Sequence, residues 1–245
     1  MKAETTVLAG RQCRYVLYPD RPVVFRGVPD DDWDVARLRK EEESLAALQA
    51  GSFFFGVGEW NDVFSPWPAK TRAGEFGGGA AETLRWLEEN AIPYLRPLTQ
   101  APLILTGYSL AGLFSIWCMS NTGAFAAYVS CSGSLWYPGW EEYSRTALAK
   151  ARCAVYLSLG DRESRTRNPD LQRVEEATVA QSLTLVRDRN VRSSVLVMEP
   201  GGHFNEPDAR LLRGIRWTLE HLTEKPFGET DMRTETILPK EGRTT

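Results

Sequence analysis

The chain alternates between segments typical of buried strands and segments typical of helices, and this order limits its fold more than any other feature of the sequence. The strand segments are mostly unbroken apolar runs, as in parallel sheets that are covered on both faces. Strict alternation predicts the α/β class, with a mostly parallel central sheet and helices on both faces. The predicted strands are 13–18, 52–57, 103–106, 125–130, 154–159 and 194–198, and the predicted helices are 33–50, 80–95, 110–119, 141–151, 171–187 and 207–222.

The length of 245 residues suits one α/β domain, and no internal repeat or linker divides the chain. We therefore expect a single domain over residues 1–224, with one short leading strand at 5–9. Residues 225–245 are polar and contain proline and glycine, which favours a mobile tail. The helix at 141–151 fills most of the interval between two strands where a cap domain would be inserted, so we expect no cap.

Composition and charge exclude several classes of protein. Hydrophobic residues make up 42% of the chain and charged residues 25%, which excludes a disordered or collagen-like chain. The net charge of −3 argues against a surface that binds nucleic acid. The sequence has no apolar stretch of about 18 residues, and its amino terminus lacks the apolar core of a signal peptide. We expect neither a membrane segment nor secretion.

Four cysteines bear on metal binding and on redox environment: Cys13, Cys118, Cys131 and Cys153. They are widely spaced, and no C-x-x-C pair or Cys/His cluster suggests a metal site. Most of them lie in apolar runs, which favours buried free thiols in a reducing cytoplasm over disulfides.

A candidate nucleophile follows the third predicted strand. The segment Gly107-Tyr108-Ser109-Leu110-Ala111-Gly112 is close to G-x-S-x-G, with alanine at the last position and glycine just after it. A serine on a sharp turn between strand and helix needs small neighbours so that the turn can close. The motif predicts that Ser109 is a nucleophile. The alternative is a helix cap, in which Ser109 only satisfies backbone N–H groups.

A serine nucleophile requires a base and an orienting acid, and both are expected at the carboxyl ends of other strands. His203 follows the last strand through two glycines, whereas His221 lies late in the last helix, where it can interact with terminal carbonyls. We therefore expect His203 to be the base. Asp161 and Glu163 both follow the fifth strand. Glu163 is favoured as the acid because Asp161 directly follows Gly160 and can be bound into the turn.

The order serine, acid, histidine resembles that of the α/β-hydrolase superfamily. More narrowly, the chain is similar to the esterase family that contains esterase D, enterochelin esterases and mycolyltransferases, and to small bacterial esterases of that group. The resemblance covers residues 13–222. Besides the nucleophile segment, it rests on the loop at 60–67, on Gly160-Asp161-Arg162-Glu163 and on Arg167-Asn168-Pro169. It implies the α/β-hydrolase fold, and a serine esterase with no cofactor.

The resemblance also implies an oxyanion hole made of two backbone N–H groups. One donor is the N–H of Leu110, directly after the nucleophile. The other is expected after the strand at 13–18, at Asp20 or Arg21, although the family's usual Asp-Gly is absent there. Pro22 cannot donate.

Aromatic residues on two loops predict an apolar or aryl-accepting groove at an open site. The six expected to bind substrate are Tyr108, Trp60, Trp67, Trp136, Tyr137 and Trp140. We therefore expect small or aryl esters as substrates, with siderophore-type esters among the candidates. The same triad could instead serve a thioesterase, a peptidase or an acyltransferase, and a non-catalytic binding module on this fold is the alternative of another class.

Overall fold

The computed structural model of the protein describes residues 2–222 and the backbone of residues 234–237. The strands are β1 Glu4–Leu8, β2 Arg11–Val16, β3 Val23–Pro29, β4 Gly51–Val57, β5 Ala69–Thr71, β6 Gly74–Phe76, β7 Leu103–Tyr108, β8 Ala127–Cys131, β9 Cys153–Gly160, β10 Val191–Glu199 and β11 Thr234–Ile237. The helices are α1 Val35–Ala47, α2 Trp60–Val63, α3 Ala80–Trp86, α4 Ile92–Leu95, α5 Leu110–Asn121, α6 Trp140–Ser144, α7 Pro169–Gln172, α8 Val174–Arg187 and α9 Pro207–His221.

Within the described residues, a nine-stranded sheet forms the centre of the molecule, in the order β1-β2-β4-β3-β7-β8-β9-β10-β11. Strand β2 runs antiparallel to β1 and to β4. The neighbouring pairs from β4 to β11 are parallel. Strands β5 and β6 form a separate small hairpin. The predicted mostly parallel sheet is confirmed, and its parallel carboxyl ends share one edge.

Helices cover both faces of the sheet, as the apolar strand runs predict. Successive side chains of a strand point to opposite faces. In β4, Phe53 and Phe55 accordingly pack in the core on the side of α3 and α5, while Phe54 packs on the side of α1 and α9. All three rings are fully buried. Each strand therefore fills two hydrophobic layers at once.

The prediction missed the strand β3. Its sequence begins just after Pro22, ends at Pro29 and contains a charge at Arg26, so it did not resemble a buried strand. The charge is tolerated because the Arg26 guanidinium donates to the Glu41 carboxylate of α1 at 2.6 Å. β3 then pairs with both β4 and β7 in the middle of the sheet.

Two helix predictions need correction. The segment 80–95 is one continuous helical run, but a wide π turn at Leu87–Ala91 separates α3 from α4. Pro93 lacks an N–H and crowds the preceding turn, which accounts for the wider turn. The predicted helix 141–151 ends early, at Ser144. The N–H of Ala149 donates instead to Asp188 and that of Lys150 to the carbonyl of Met119.

Three other predictions concern the whole chain. The four cysteines are buried and free, as predicted. No helix within the described residues is long and apolar enough to cross a membrane. The mobile tail predicted over 225–245 lies outside the described residues, apart from the backbone of 234–237, which pairs with β10. The boundary at residue 224 therefore stays a prediction.

Candidate active site

Ser109 lies on a tight turn between β7 and α5. Its φ of 57° and ψ of −122° are strained for a residue with a side chain. Strand and helix approach so closely that a Cβ added at Gly107 would lie 2.0 Å from the carbonyl oxygen of Ala111. A Cβ at Gly112 would lie 2.8 Å from the Ser130 hydroxyl. Ser109 makes no side-chain cap hydrogen bond to α5, so the helix-cap alternative is not supported.

His203 connects Ser109 to an acid. Its Nε2 lies 3.1 Å from Ser109 Oγ, and its Nδ1 lies 2.8 Å from Glu163 Oε2. The loop after β10 carries His203, and Gly201 turns there with a φ of 106°. Because the carboxylate accepts at Nδ1, the proton of the neutral ring belongs on Nδ1, which leaves Nε2 able to accept the serine proton.

Glu163 is the acid that contacts His203, and three donors hold its other oxygen. Oε1 accepts from the Ser132 hydroxyl at 2.6 Å, the Gly160 N–H at 2.7 Å and the Arg210 guanidinium at 3.0 Å. Burial by itself would raise the pKa of Glu163, but the hydrogen bonds from His203, Ser132 and Gly160 outweigh burial and lower that pKa below its usual value. The carboxylate is therefore charged when it faces the imidazole.

Asp161 and His221 lie outside this chain of hydrogen bonds. The Asp161 carboxylate accepts from the N–H of Gly201 at 2.8 Å, and so it braces the histidine loop without reaching the ring. His221 stacks on Trp217 near the end of α9, with ring centroids 4.0 Å apart. Of the two candidate acids, the structure brings Glu163 to His203.

The two expected oxyanion donors lie at opposite ends of the parallel strands. Leu110 is the first residue of α5, where a backbone N–H has no acceptor within the helix, so its amide can face a substrate. The prediction that Arg21 supplies the second oxyanion donor is wrong. Arg21 lies between antiparallel β2 and the start of β3, and hence at the amino ends of the parallel strands. The end of β3 that lies beside Ser109 is its carboxyl end, at Pro29.

A groove of about 440 Å³ opens over Ser109 and His203. Phe204, which is 90% exposed, contributes to its apolar wall, and its ring stands 5.0 Å from the His203 ring. The Ser134 hydroxyl lies 3.5 Å from that of Ser109. The apolar wall comprises Trp136, Leu171, Val174 and Phe204, and the polar rim includes Ser132, Ser134, Arg162 and Arg165.

Of the six aromatic residues predicted to bind substrate, Trp136 lines this groove. Tyr137 and Trp140 are each only 2% exposed and belong to the core, because the loop after β8 folds inward. Trp67 is tied to that loop by a 2.8 Å hydrogen bond to the carbonyl of Pro138. These three side chains stabilise the loops, which corrects their predicted role.

Trp60 and Tyr108 also have structural contacts. Trp60 packs edge-on against Phe64, with ring centroids 4.8 Å apart. The Tyr108 hydroxyl donates to the carbonyl oxygen of His203. Tyr108 therefore supports the histidine loop from the residue that precedes the nucleophile, which is a different role from the predicted one.

Solved structures with a similar fold include three hydrolases. The first is an IroE-like serine hydrolase from Shewanella oneidensis, 16% identical over 89% of this chain and 80% of that one, with a TM-score of 0.71. The second is the siderophore hydrolase EstA from Aspergillus nidulans, 16% identical over 90% of this chain and 94% of that one, with a TM-score of 0.67. The third is EstB from the same organism, 17% identical over 92% and 96%, with a TM-score of 0.65.

No protein-family model and no curated protein matches the sequence. The structural likeness nevertheless defines the class: the chain has the α/β-hydrolase fold. Its candidate site is a serine, a histidine and a glutamate joined by hydrogen bonds at the carboxyl edge of the sheet.

Sequence reasoning missed Phe204, Ser132, Ser134 and Arg210. The first directly follows His203, and the two serines follow the strand next to the nucleophile, so their positions were informative. Arg210 lies inside a helix with other charged residues, and nothing in that pattern distinguishes a buried arginine from an exposed one.

Proposed function

We propose that the protein is a serine carboxylic-ester hydrolase that works through an acyl-enzyme. The observation that carries the proposal is the hydrogen-bonded chain from Ser109 Oγ through His203 to Glu163, with distances of 3.1 and 2.8 Å. The 3.1 Å distance lies in the range in which a base can take a proton from a nucleophile, and the 2.8 Å hydrogen bond orients that base.

The reaction follows from this geometry. His203 Nε2 accepts the Ser109 proton while Oγ attacks the ester carbonyl, and Glu163 stabilises the imidazolium that forms. The N–H of Leu110 donates to the oxyanion, and a second donor is expected from the chain that follows β3. His203 then gives the proton to the departing alcohol. It next activates a water molecule that hydrolyses the acyl-enzyme and frees Ser109.

Small and aryl esters are the proposed substrates, because the groove beside Ser109 has an apolar wall that includes two aromatic rings, Trp136 and Phe204. Siderophore-type esters belong in the same screen, since two structural neighbours are described as siderophore hydrolases.

Trp136 lines the groove, and we therefore expect Trp136→Ala to raise KM for an aryl ester more than it lowers kcat. Its matched control is Trp60→Ala, because Trp60 does not line the groove.

The deciding experiment is labelling by a fluorophosphonate, which forms a bond to an activated serine. We expect labelling at Ser109 in the wild type and none in Ser109→Ala or His203→Ala, with His221→Ala labelled normally. Hydrolysis of p-nitrophenyl esters of increasing chain length, and of aryl and siderophore-type esters, then defines the substrate. A folded wild type that is never labelled would favour the non-catalytic binding module.

Hydrolysis of thioesters or peptides, or transfer of the acyl group to an acceptor other than water, remains the second proposal, because the same three residues can perform it. Parallel assays with matched ester and thioester substrates separate these activities.

A reducing cytoplasmic location is also proposed, from the four buried free thiols. Localisation of the tagged full chain tests it.

A further inference from the structure

Arg210 is a buried charged residue that the reaction outlined above does not use. It lies in the first turns of α9, and its side chain is only 1% exposed. Burial of a guanidinium is costly unless its N–H groups find acceptors and a negative charge lies close by. All of its recorded partners belong to the candidate active site or to the loop that carries His203.

One arm of the guanidinium holds the acid. Nη1 donates to Glu163 Oε1 and to the Ser132 hydroxyl, each at 3.0 Å, and to the Tyr108 hydroxyl at 3.3 Å. Ser132 itself donates to the same carboxylate oxygen. With Oε1 fixed in this way, the other oxygen of Glu163 is directed at His203 Nδ1.

The other arm of the guanidinium holds the loop that carries His203. Nη2 donates to the carbonyl oxygens of Pro200 and Gly202, each at 3.2 Å, and Gly202 directly precedes His203. The Tyr108 hydroxyl, which accepts from Nη1, donates in turn to the His203 carbonyl. One side chain thus joins the loop after β9 to the loop after β10.

We propose that Arg210 is a positioning residue that fixes Glu163 and the His203 loop relative to one another and compensates the buried carboxylate charge. The inference rests on the proposed serine hydrolase function, because it concerns how His203, the proposed base, is positioned and how easily its ring is protonated. Arg210 does not touch the reacting atoms.

Charge compensation gives a signature that a purely structural role lacks. A carboxylate beside an imidazole favours the protonated ring, and a cation on the same carboxylate opposes this effect. Loss of the Arg210 charge therefore makes the ring of His203 easier to protonate. At neutral pH a smaller fraction of the base would then be able to accept the serine proton.

Other charged and titratable groups lie near His203 in the part of the chain that the structure describes. Arg162 and Arg165 line the groove from an exposed loop, where water screens them. Asp161 accepts from the N–H of Gly201. Burial raises the pKa of Tyr108, which keeps its hydroxyl neutral. Further along α9, Arg213 pairs with Glu199 through two hydrogen bonds of 2.9 Å.

The variants that test the inference are Arg210→Gln, which removes the charge, and Arg210→Lys, which keeps it. Arg213→Gln is the matched control, since Arg213 lies on the same helix as Arg210 and pairs with a buried carboxylate, that of Glu199 in β10. The chain has only two histidines, so nuclear magnetic resonance follows the titration of His203 with His221 as an internal reference. This measurement requires no catalysis. kcat and KM for a p-nitrophenyl ester are measured in parallel.

We expect Arg210→Gln to move the titration midpoint of the His203 ring up by about one pH unit and to leave His221 unchanged. kcat at neutral pH should fall about tenfold or more, with little change in KM. Arg210→Lys should keep the midpoint near that of the wild type, and Arg213→Gln should keep it there too. A midpoint in Arg210→Gln equal to that of the control would overturn the inference.

If Arg210→Gln does not fold, Arg210→Lys and Tyr108→Phe decide the outcome. Tyr108→Phe cuts the link from Arg210 to the His203 carbonyl and is expected to lower kcat several-fold at constant KM. Failure of both Arg210 variants to fold, together with wild-type kcat in Tyr108→Phe, would reject the positioning role. A wild type without esterase activity would count against the proposed function instead, and the titration would still test Arg210.

Discussion

At the scale of single residues, two acids on the loop after β9 have different partners. Glu163 contacts the His203 ring, and Asp161 contacts the backbone of Gly201. We expect Glu163→Gln to lower kcat/KM by at least about 100-fold, because an amide cannot stabilise the imidazolium and can favour the wrong tautomer. Steady-state kinetics on a p-nitrophenyl ester measure the loss.

Asp161→Asn is the matched control, since the amide oxygen can still accept from the N–H of Gly201. Its exposed pair with Arg162, at 3.6 Å, contributes little. Near-normal kcat/KM is therefore expected. A large loss of kcat/KM in Asp161→Asn, together with near-normal kcat/KM in Glu163→Gln, would reverse the assignment of the acid.

Glu163 also makes stability depend on pH. Burial raises the pKa of this carboxyl, but hydrogen bonds from His203, Ser132 and Gly160 bring it below its usual value. Such a group stabilises the fold above its unfolded pKa, and that contribution is lost as the pH falls toward the folded pKa. Between about pH 5 and pH 3, the wild type should lose more free energy of unfolding than Glu163→Gln. Urea unfolding at each pH tests this, and equal losses would contradict it.

At the scale of elements, the sequence predicted the strands that precede Ser109, Glu163 and His203, because apolar runs and turn residues bound them clearly. It missed β3, whose buried position depends on the ion pair between Arg26 and Glu41. The same error misplaced the second oxyanion donor at Arg21. A contact between distant segments, such as the one that buries Arg210, has no local signal.

The crossing of β7 and α5 gives a prediction for Gly107. A Cβ there would meet the carbonyl oxygen of Ala111 at 2.0 Å, and a backbone atom cannot move aside cheaply. We expect Gly107→Ala to lower the free energy of unfolding by about 3 kcal/mol or more, with a fall in Tm of about 6 °C or more. Calorimetry measures both.

Gly58→Ala is the control for this prediction, because an added Cβ there has no atom within 4 Å. Its Tm should stay close to that of the wild type. Similar losses in the two variants would show that the close approach of strand and helix is not what requires glycine at position 107.

At the scale of the whole molecule, the groove over Ser109 is open. Within the described residues, the chain between β8 and β9 holds only the short helix α6, and no cap covers the site. We therefore expect the rate of ester hydrolysis to follow ordinary saturation, with no jump as a long-chain ester passes its micellar concentration. A lipase with a lid serves as the positive control. A sharp rise in the rate of this protein would contradict the open site.

The strained turn at Ser109 implies that this position is held against its own local preference. A backbone at φ 57° and ψ −122° suits glycine, whereas serine there raises the energy of the folded state. We expect Ser109→Gly to be inactive and yet more resistant to unfolding than Ser109→Ala, by about 1 to 2 kcal/mol. Thermal unfolding of the two variants measures the difference. Under the proposed function, a serine at such a position amounts to a trade-off, in which a reactive side chain is held at the expense of stability.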